Sequence, residues 1–168
     1  PLAIQQAILS TIYAARDELV MTTPYFVPDD ATRAALEAAA MRGVDVTLVV
    51  PKKVNSPLVA LASRSEFGNL LRAGIKIRLH RPGLLHAKTI TVDRRCAMLG
   101  SVNLDMRSFW LNFEATLFIY DDDFASQIRW LQTTYIESAD ELKIDAWSKR
   151  SIVEKAAEHV ARLFGPLL

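Results

Sequence analysis

Two kinds of hydrophobic pattern alternate along the first half of the chain. In some segments apolar residues recur about one helical turn apart, as at Ile4, Ile8 and Ile12, which predicts amphipathic helices. Between these segments lie short apolar runs rich in β-branched residues, which predict buried strands. The helices are expected over 2–16, 31–42 and 58–73, and the strands over 18–24, 44–51 and 75–79.

Local signals at the ends of these segments support the assignment. Asp29 and Asp30 are candidate N-caps of the second helix. Gly43 and Gly74 follow the second and third helices, where glycine commonly ends a helix. Because helix and strand alternate, we expect an α/β fold with a mixed, largely parallel sheet flanked by helices on both faces.

The pattern changes after the turn at 81–83 (RPG). Two strand-like segments, 86–93 and 96–100, are separated only by Arg94 and Arg95, which predicts an antiparallel hairpin. Further elements are expected as a strand over 112–120, a helix near 124–138 capped by Asp122 or Asp123, and a last helix over about 148–163. We therefore expect residues 1–168 to form a single domain that ends in a C-terminal helix.

Composition narrows the possible function classes. The formal net charge is +1, from 20 Lys and Arg against 19 Asp and Glu, so bulk charge gives no argument for a nucleic-acid partner. Three histidines and one cysteine fall in no metal-ligand spacing, so we expect neither a metal nor another cofactor.

No apolar run approaches the ~18 residues that cross a bilayer. The chain begins at Pro1 and is typical of a piece of a longer protein, whose membrane anchor would lie elsewhere.

One stretch, 86–103 (HAKTITVDRRCAMLGSVN), carries candidate chemistry. Because side chains alternate along a strand, we expect His86 and Lys88 on one side, with Cβ atoms roughly 6.5–7 Å apart. That distance allows both side chains to contact one phosphate, with an imidazole nitrogen of His86 at the phosphorus and the Lys88 ammonium at a non-bridging oxygen. Gly100 allows a close backbone approach, and Ser101 and Asn103 supply donors nearby. A phosphodiester requires such a set, because its charge must be neutralised before a nucleophile attacks.

The residues form the pattern His86-x-Lys88-x4-Asp93-x6-Gly100-Ser101-x-Asn103. Chance produces six specified residues at fixed offsets on the order of once in ten million. The pattern resembles the signature of the phospholipase D superfamily, and this resemblance implies the phospholipase D-like α/β/α sandwich. Segments beyond the pattern are similar to bacterial cardiolipin synthases, in particular to their C-terminal catalytic half. These segments are 23–30 (TPYFVPDD), 61–77 (LASRSEFGNLLRAGIKI), 83–89 (GLLHAKT), 103–121 (NLDMRSFWLNFEATLFIYD) and 161–168 (ARLFGPLL).

The resemblance implies a role for each polar residue of the pattern. His86 is expected to be a catalytic histidine, and Lys88 and Asn103 are expected to bind the phosphate. Ser101 is expected to make a polar contact near the phosphate, with Gly100 beside it in the substrate-binding set.

Two carboxylates complete the expected catalytic set. Asp93 ends its strand facing away from His86, which predicts a turn carboxylate that braces the site and carries no proton. Glu114 lies 28 residues beyond His86. The resemblance implies that Glu114 hydrogen-bonds the second imidazole nitrogen, fixing the tautomer and stabilising the charged ring.

The resemblance also implies an activity. The expected enzyme is a phosphatidyltransferase that makes cardiolipin from two phosphatidylglycerol molecules through a phosphohistidine. Two such motifs must face each other across one site, so the expected partner is the N-terminal half of the same enzyme or a second copy of this chain. The expected setting is the surface of the bacterial inner membrane, on its cytoplasmic side, with an anionic phospholipid as substrate and no nucleic acid.

Two alternatives stay open from the sequence. A phospholipase D-type hydrolase, either a phospholipase or a nuclease, would use water as the acceptor on the same scaffold. A non-catalytic half would only bind lipid or pair with a partner, although a binding module needs no oriented histidine.

Overall fold

A seven-stranded sheet runs through the computed structural model, which describes residues 2–165. The strands are β1 (Glu18–Thr22), β2 (Phe26–Val27), β3 (Asp45–Pro51), β4 (Lys76–His80), β5 (Thr89–Val92), β6 (Cys96–Gly100), β7 (Leu104–Asp105), β8 (Thr116–Ile119) and β9 (Ala139–Glu141). The helices are α1 (Leu2–Ala14), α2 (Asp30–Met41), α3 (Pro57–Arg72), α4 (Met106–Trp110), α5 (Asp122–Glu137), α6 (Ile144–Ser148) and α7 (Ile152–Arg162).

The strand order is β8-β6-β5-β1-β3-β4-β9, and β2 pairs with β7 in a separate two-stranded sheet. The mixed sheet expected from the sequence is confirmed, but its parallel part is smaller than expected. Only β1, β3 and β4 pair in parallel within the large sheet, and its other four neighbour pairs are antiparallel. The reason is the connections: helices α2 and α3 link the parallel strands, whereas β5 and β6 are joined by a tight turn.

Helices cover both faces of the sheet, as the alternating pattern predicts. On one face, α1, α2 and α3 pack on the main core, to which β1 contributes Leu19 and Met21. On the other face, α5 packs against a smaller cluster that includes Val20 of the same strand. This second face is partly polar, because the buried amide of Gln132 donates to the Thr89 hydroxyl at 3.0 Å and accepts from the Thr91 hydroxyl at 2.6 Å. In β5 the strand alternation thus sends Ile90 and Val92 to the main core and the two threonines toward α5.

Several element boundaries differ from the sequence expectation. The strand expected over 112–120 is ordered as a strand only from Thr116 to Ile119. The N-cap of α5 is Asp121, whose carboxylate accepts from the Phe124 amide at 2.7 Å, in place of the expected Asp122 or Asp123. The last helix, expected over about 148–163, is found as α7, which begins only at Ile152, and the short helix α6 before it was not expected. These are short-range boundary effects, which hydrophobic spacing alone does not resolve.

Asp93 lies in the β5–β6 turn and ties it to the start of β1. Asp93 and Arg94 both have positive φ, 52° and 56°, as a tight hairpin turn requires. The Asp93 carboxylate accepts hydrogen bonds from the backbone amides of Arg16, Asp17 and Glu18 at 2.8–3.0 Å. Burial opposes ionisation of this carboxyl, but the three amide donors prevail and hold its pKa below the usual value.

The position of Asp93 corrects the expectation that it braces the catalytic site. Asp93 follows the last residue of β5, whereas Lys88 precedes the first, so the two are roughly 16 Å apart along an extended strand. Asp93 therefore stabilises the opposite end of the sheet. Its structural role, as a turn carboxylate, agrees with the sequence reading.

We expect Asp93→Ala to lower the free energy of unfolding by about 1–3 kcal/mol at neutral pH, because three amides lose a charged acceptor. A carboxyl with a lowered folded-state pKa stabilises the fold above its ordinary pKa of 3.8 and loses that effect as the pH falls through the lowered value. The difference in melting temperature between wild type and variant should therefore be largest near pH 7 and shrink below pH ~4. Asp17→Ala, in the segment before β1 that supplies the amide donors, removes an exposed carboxylate and serves as the control. A difference that does not change with pH would contradict this account.

Candidate active site

His86 and Lys88 lie in the extended segment that leads into β5. The sequence placed them in the strand itself, but the strand begins at Thr89. Leu85 is buried against the α5 side of the sheet and fixes the segment before His86. The two side chains share one side, as expected: the Lys88 ammonium lies 3.2 Å from Nδ1 and 3.3 Å from Nε2 of His86. Because these distances are nearly equal, the ammonium is not aligned on the lone pair of either nitrogen.

Lys88 is a partly buried cation between two carboxylates. Burial lowers its pKa below the usual value, and the charges of Glu114 and Asp105 act in the opposite direction. Its ammonium also donates to the His86 carbonyl at 3.0 Å. A partly desolvated ammonium is well suited to bind an anion, since much of its hydration has already been removed.

Glu114 is held by Ser101 and Asn112. Its carboxylate accepts a short hydrogen bond from the Ser101 hydroxyl and a second from the Asn112 amide at 3.1 Å. The expected hydrogen bond between Glu114 and His86 is not among those formed in residues 2–165. The reason is local: Glu114 precedes the ordered part of β8 and folds back toward the end of β6. There the Ala115 amide donates to the Ser101 hydroxyl at 3.0 Å, and the Ser101 amide donates to the Ala115 carbonyl at 2.9 Å.

Gly100 allows this close approach of the two chain segments. A Cβ at Gly100 would lie 2.9 Å from the Thr116 Cα and still nearer to the Ala115 carbonyl oxygen. From the sequence, Gly100 was expected in the substrate-binding set. Its geometry instead shows that the missing side chain makes room for the neighbouring strand, which places Ser101 beside Glu114.

Asn103 and Asp105 project from the two-stranded sheet of β2 and β7. The Asn103 amide donates to the Ser108 hydroxyl at 3.2 Å, and its buried carbonyl oxygen has no protein partner. Asp105 caps α4 by accepting from the Ser108 amide at 2.6 Å. Burial raises the pKa of Asp105, although its bonds to Ser108 and Asn103 act the other way and the charge of Glu114 adds to the rise.

Asp105 and Ser108 were not among the site residues expected from the sequence. A signal was present, because Asp105 is two residues after Asn103 and three before Ser108. A residue two positions after Asn103 in a strand lies on the same face as Asn103. An aspartate three residues before Ser108 can cap a helix by accepting from the Ser108 amide.

A cleft of about 410 Å³ opens beside these groups. Its walls include Asn103, Asp105, Ser108, Asn112, Arg107, Tyr25 and Ser56. Four functional side chains adjoin this cleft at one edge of the fold. They are a nucleophile or proton carrier (His86), a cation (Lys88), a hydroxyl (Ser101) and a carboxylate (Glu114). Such a set can neutralise a phosphodiester oxygen and move a proton at its ester oxygens. Asp93 alone of the predicted site residues lies elsewhere.

Residues 2–165 contain no group of three or more His, Cys, Asp or Glu side chains placed to hold a metal ion. No helix in the same range combines the length and apolar character needed to cross a membrane.

The chain matches a family described as "Cardiolipin synthase, PLD-like domain" over residues 8–131. It is 50% identical over 165 residues to a Cardiolipin synthase A of Proteus mirabilis, and 47% identical to one of Yersinia pseudotuberculosis. Each alignment covers 98% of this chain and 34% of the relative, so the chain spans about a third of their length. The resemblance to bacterial cardiolipin synthases expected from the sequence is confirmed.

Solved structures share the fold. A phospholipase D family member, Nuc from Salmonella typhimurium, matches with a TM-score of 0.74 and 23% identity, covering 83% of this chain and 90% of that one. The phosphatidylserine synthase of Haemophilus influenzae Rd KW20 matches with a TM-score of 0.74 and 20% identity, covering 98% of this chain and 42% of that one. The fold expected from the signature is therefore found in both proteins.

We expect Gly100→Ala to lower the free energy of unfolding by about 1–3 kcal/mol, because its Cβ would force the β6 and β8 segments apart. Gly68→Ala is the matched control, since its Cβ would lie 3.4 Å from the Trp147 ring nitrogen, an ordinary contact within a helix. That control should be neutral or slightly stabilising. Equal stability of the two variants in urea unfolding would show that the close approach at Gly100 is not required.

Proposed function

The chain belongs to the "Cardiolipin synthase, PLD-like domain" family, and we propose that it is one catalytic half of an enzyme that makes cardiolipin from two phosphatidylglycerol molecules. The observation that carries this proposal is the cluster of His86, Lys88, Ser101 and Glu114, with Asn103 at the adjoining cleft. We further propose that the chain is the second, C-terminal half, a single phospholipase D-like domain.

The proposed reaction has two steps. A histidine nitrogen attacks the phosphorus of phosphatidylglycerol, a P–N bond forms, and the P–O bond to glycerol breaks while the glycerol oxygen takes a proton. A hydroxyl of a second phosphatidylglycerol then attacks the phosphohistidine, loses its proton and forms cardiolipin, which frees the histidine. In both steps the Lys88 ammonium neutralises a phosphate oxygen, and the Asn103 amide donates a hydrogen bond to one. Each step thus needs a proton carrier opposite the nucleophile.

A single His86 cannot be nucleophile and proton carrier at once. We propose that the other half of the enzyme, or a second copy of this chain, supplies the second histidine, and that His86 serves as the general acid and base. The surface beside the site supports such a partner. Trp110, Leu111 and Phe113 are 58%, 67% and 108% exposed, and they flank Asn112 and Glu114 in the loop that borders the site. Covering these large apolar side chains would favour association.

The two alternatives receive less support. A hydrolase would need the same residues with water as acceptor, and the product of the reaction decides between them. A non-catalytic lipid-binding half would not require His86 to lie against an ammonium beside a carboxylate. A net charge of +1 gives no support for a nucleic-acid partner.

We place the enzyme at the cytoplasmic side of the bacterial inner membrane, where its lipid substrates lie.

In the full-length protein, His86→Asn should reduce cardiolipin formation to below a few per cent of wild type, because amide nitrogens neither attack phosphorus nor carry the proton. The exposed position of His86 predicts an unchanged melting temperature. Mass analysis of products from labelled phosphatidylglycerol is the measurement. Cardiolipin with released glycerol supports transfer, phosphatidic acid from the wild type would indicate a hydrolase, and a well-folded His86→Asn variant with substantial activity would contradict the proposal.

Glu114→Gln should lower kcat/KM by at least about 10²-fold, because Ser101 loses a charged acceptor and Lys88 a stabilising charge. The charge of Glu114 raises the pKa of Lys88, so its removal should move the alkaline limb of the pH profile to lower pH. Glu137→Gln, at an exposed position near the end of α5, is the matched control. A rate loss without a shift of that limb would mean that Glu114 acts only through packing.

A further inference from the structure

Helix α7 has its apolar side facing outward and a charged side facing the protein. Its contacts with the body are made largely through α3, toward which Glu158 and Ala161 point, 2% and 1% exposed. The large apolar side chains are on the other side. They are Ile152 (85% exposed), Val153 (78%) and Val160 (57%), with Leu163 (79%) and Phe164 (45%) just beyond the helix. This arrangement is the reverse of an ordinary surface helix.

Buried ion pairs fix this orientation. The Glu158 carboxylate accepts from Arg64 Nε at 2.9 Å and forms a shorter pair with Arg150. Both guanidinium groups lie over the Trp147 ring, at 4.9 and 3.4 Å from its centre. Arg162 Nε lies 3.0 Å from the buried Glu66. Turning the helix to bury its apolar side would carry Glu158 and Arg162 away from Arg64, Arg150 and Glu66 and so break these ion pairs.

The end of α7 adjoins the active-site cleft. A Cβ at Gly165 would lie 2.8 Å from Met106 Cε and 3.5 Å from Val27 Cγ1, so this segment packs directly on both residues. Val27 also lines the cleft that contains Asn103. Leu163 shares a second cleft with Val27 and Met106. A surface that covers the apolar side of α7 would therefore reach the rim of the active site.

The charges along α7 favour a negatively charged surface. Lys149 and Lys155 form no ion pair in residues 2–165, and the Lys155 ammonium is held by the Ser148 carbonyl at 3.2 Å. Glu154 accepts from the Ser151 amide and hydroxyl in a capping box, and Glu158 is buried. The carboxylates are thus engaged by the protein, whereas the two lysines are available beside the apolar side.

We propose that Ile152, Val153, Val160, Leu163 and Phe164 insert into the interfacial layer of an anionic phospholipid bilayer and hold the active-site cleft at the lipid surface. This inference rests on the proposed function, because a phospholipid substrate requires contact with a bilayer. Amphipathic helices with an apolar side and adjoining lysines bind such surfaces through buried apolar area and attraction to anionic headgroups. A protein partner would be the rival occupant, since the curated relatives are about three times as long as this chain.

The test places a fluorophore at Val153 through a single introduced cysteine, in the full-length protein reconstituted in phosphatidylglycerol–phosphatidylcholine vesicles. Gln127 on α5, exposed on the opposite face of the sheet, is the matched control position. Quenching at position 153 by lipids that carry a shallow spin label, with protection from aqueous iodide, is the expected result. Quenching by iodide, or protection from both quenchers as by a covering protein segment, would overturn the proposal.

A second measurement separates this inference from the proposed activity. Val153→Glu with Val160→Glu should lower turnover of vesicle substrate by at least ~10-fold, while turnover of a monomeric short-chain phosphatidylglycerol changes less than ~2-fold. Equal losses on both substrates would refute membrane docking through α7. Lipid quenching at position 153 in a wild-type protein that forms no cardiolipin would support the docking surface and reject the proposed function.

Discussion

The site depends on the close approach of two chain segments at Gly100. Because this residue lacks a side chain, the segment before β8 lies directly on the end of β6. One backbone–hydroxyl hydrogen bond and one backbone–backbone hydrogen bond then join Ser101 to Ala115. The carboxylate of Glu114 accepts from the Ser101 hydroxyl. The same carboxylate is close enough to act on Lys88. One missing methyl group thus determines where the negative charge of the site lies relative to its cation.

The charge balance at Lys88 follows from this geometry. Burial removes water from its ammonium, while Glu114 and Asp105 supply compensating negative charge from two different segments of the chain. Asp105 is itself buried and is supported by Ser108 and Asn103. The buried carbonyl oxygen of Asn103 remains without a protein partner. Cation, carboxylates and amide are therefore held in position by the fold before any substrate arrives.

Sequence reasoning was most successful where a pattern is local. Helical spacing predicted α1, α2 and α3, and the fixed offsets of the signature identified His86, Lys88 and Ser101, which the structure brings together. It failed where the outcome depends on segments distant in sequence. The amide partners of Asp93 are about 76 residues away, so its distance from the site could not be inferred from its place in the signature. The bonding of Glu114 likewise depends on where β8 begins, and the exposure of Trp110 depends on the short helix α4, which periodicity did not predict.

Helix α7 shows why amphipathicity alone does not determine which side of a helix is buried. Hydrophobic transfer would favour burying its apolar side. Glu158 opposes that outcome, since its carboxylate is already matched by Arg64 and Arg150, and those guanidinium groups are in turn packed on Trp147. Turning the helix over would break both pairs. The ion pairs therefore keep the apolar side outward, where its hydrophobic free energy remains available for a contact outside the domain. If that contact is with a bilayer, as proposed, it would also determine the direction in which the cleft faces.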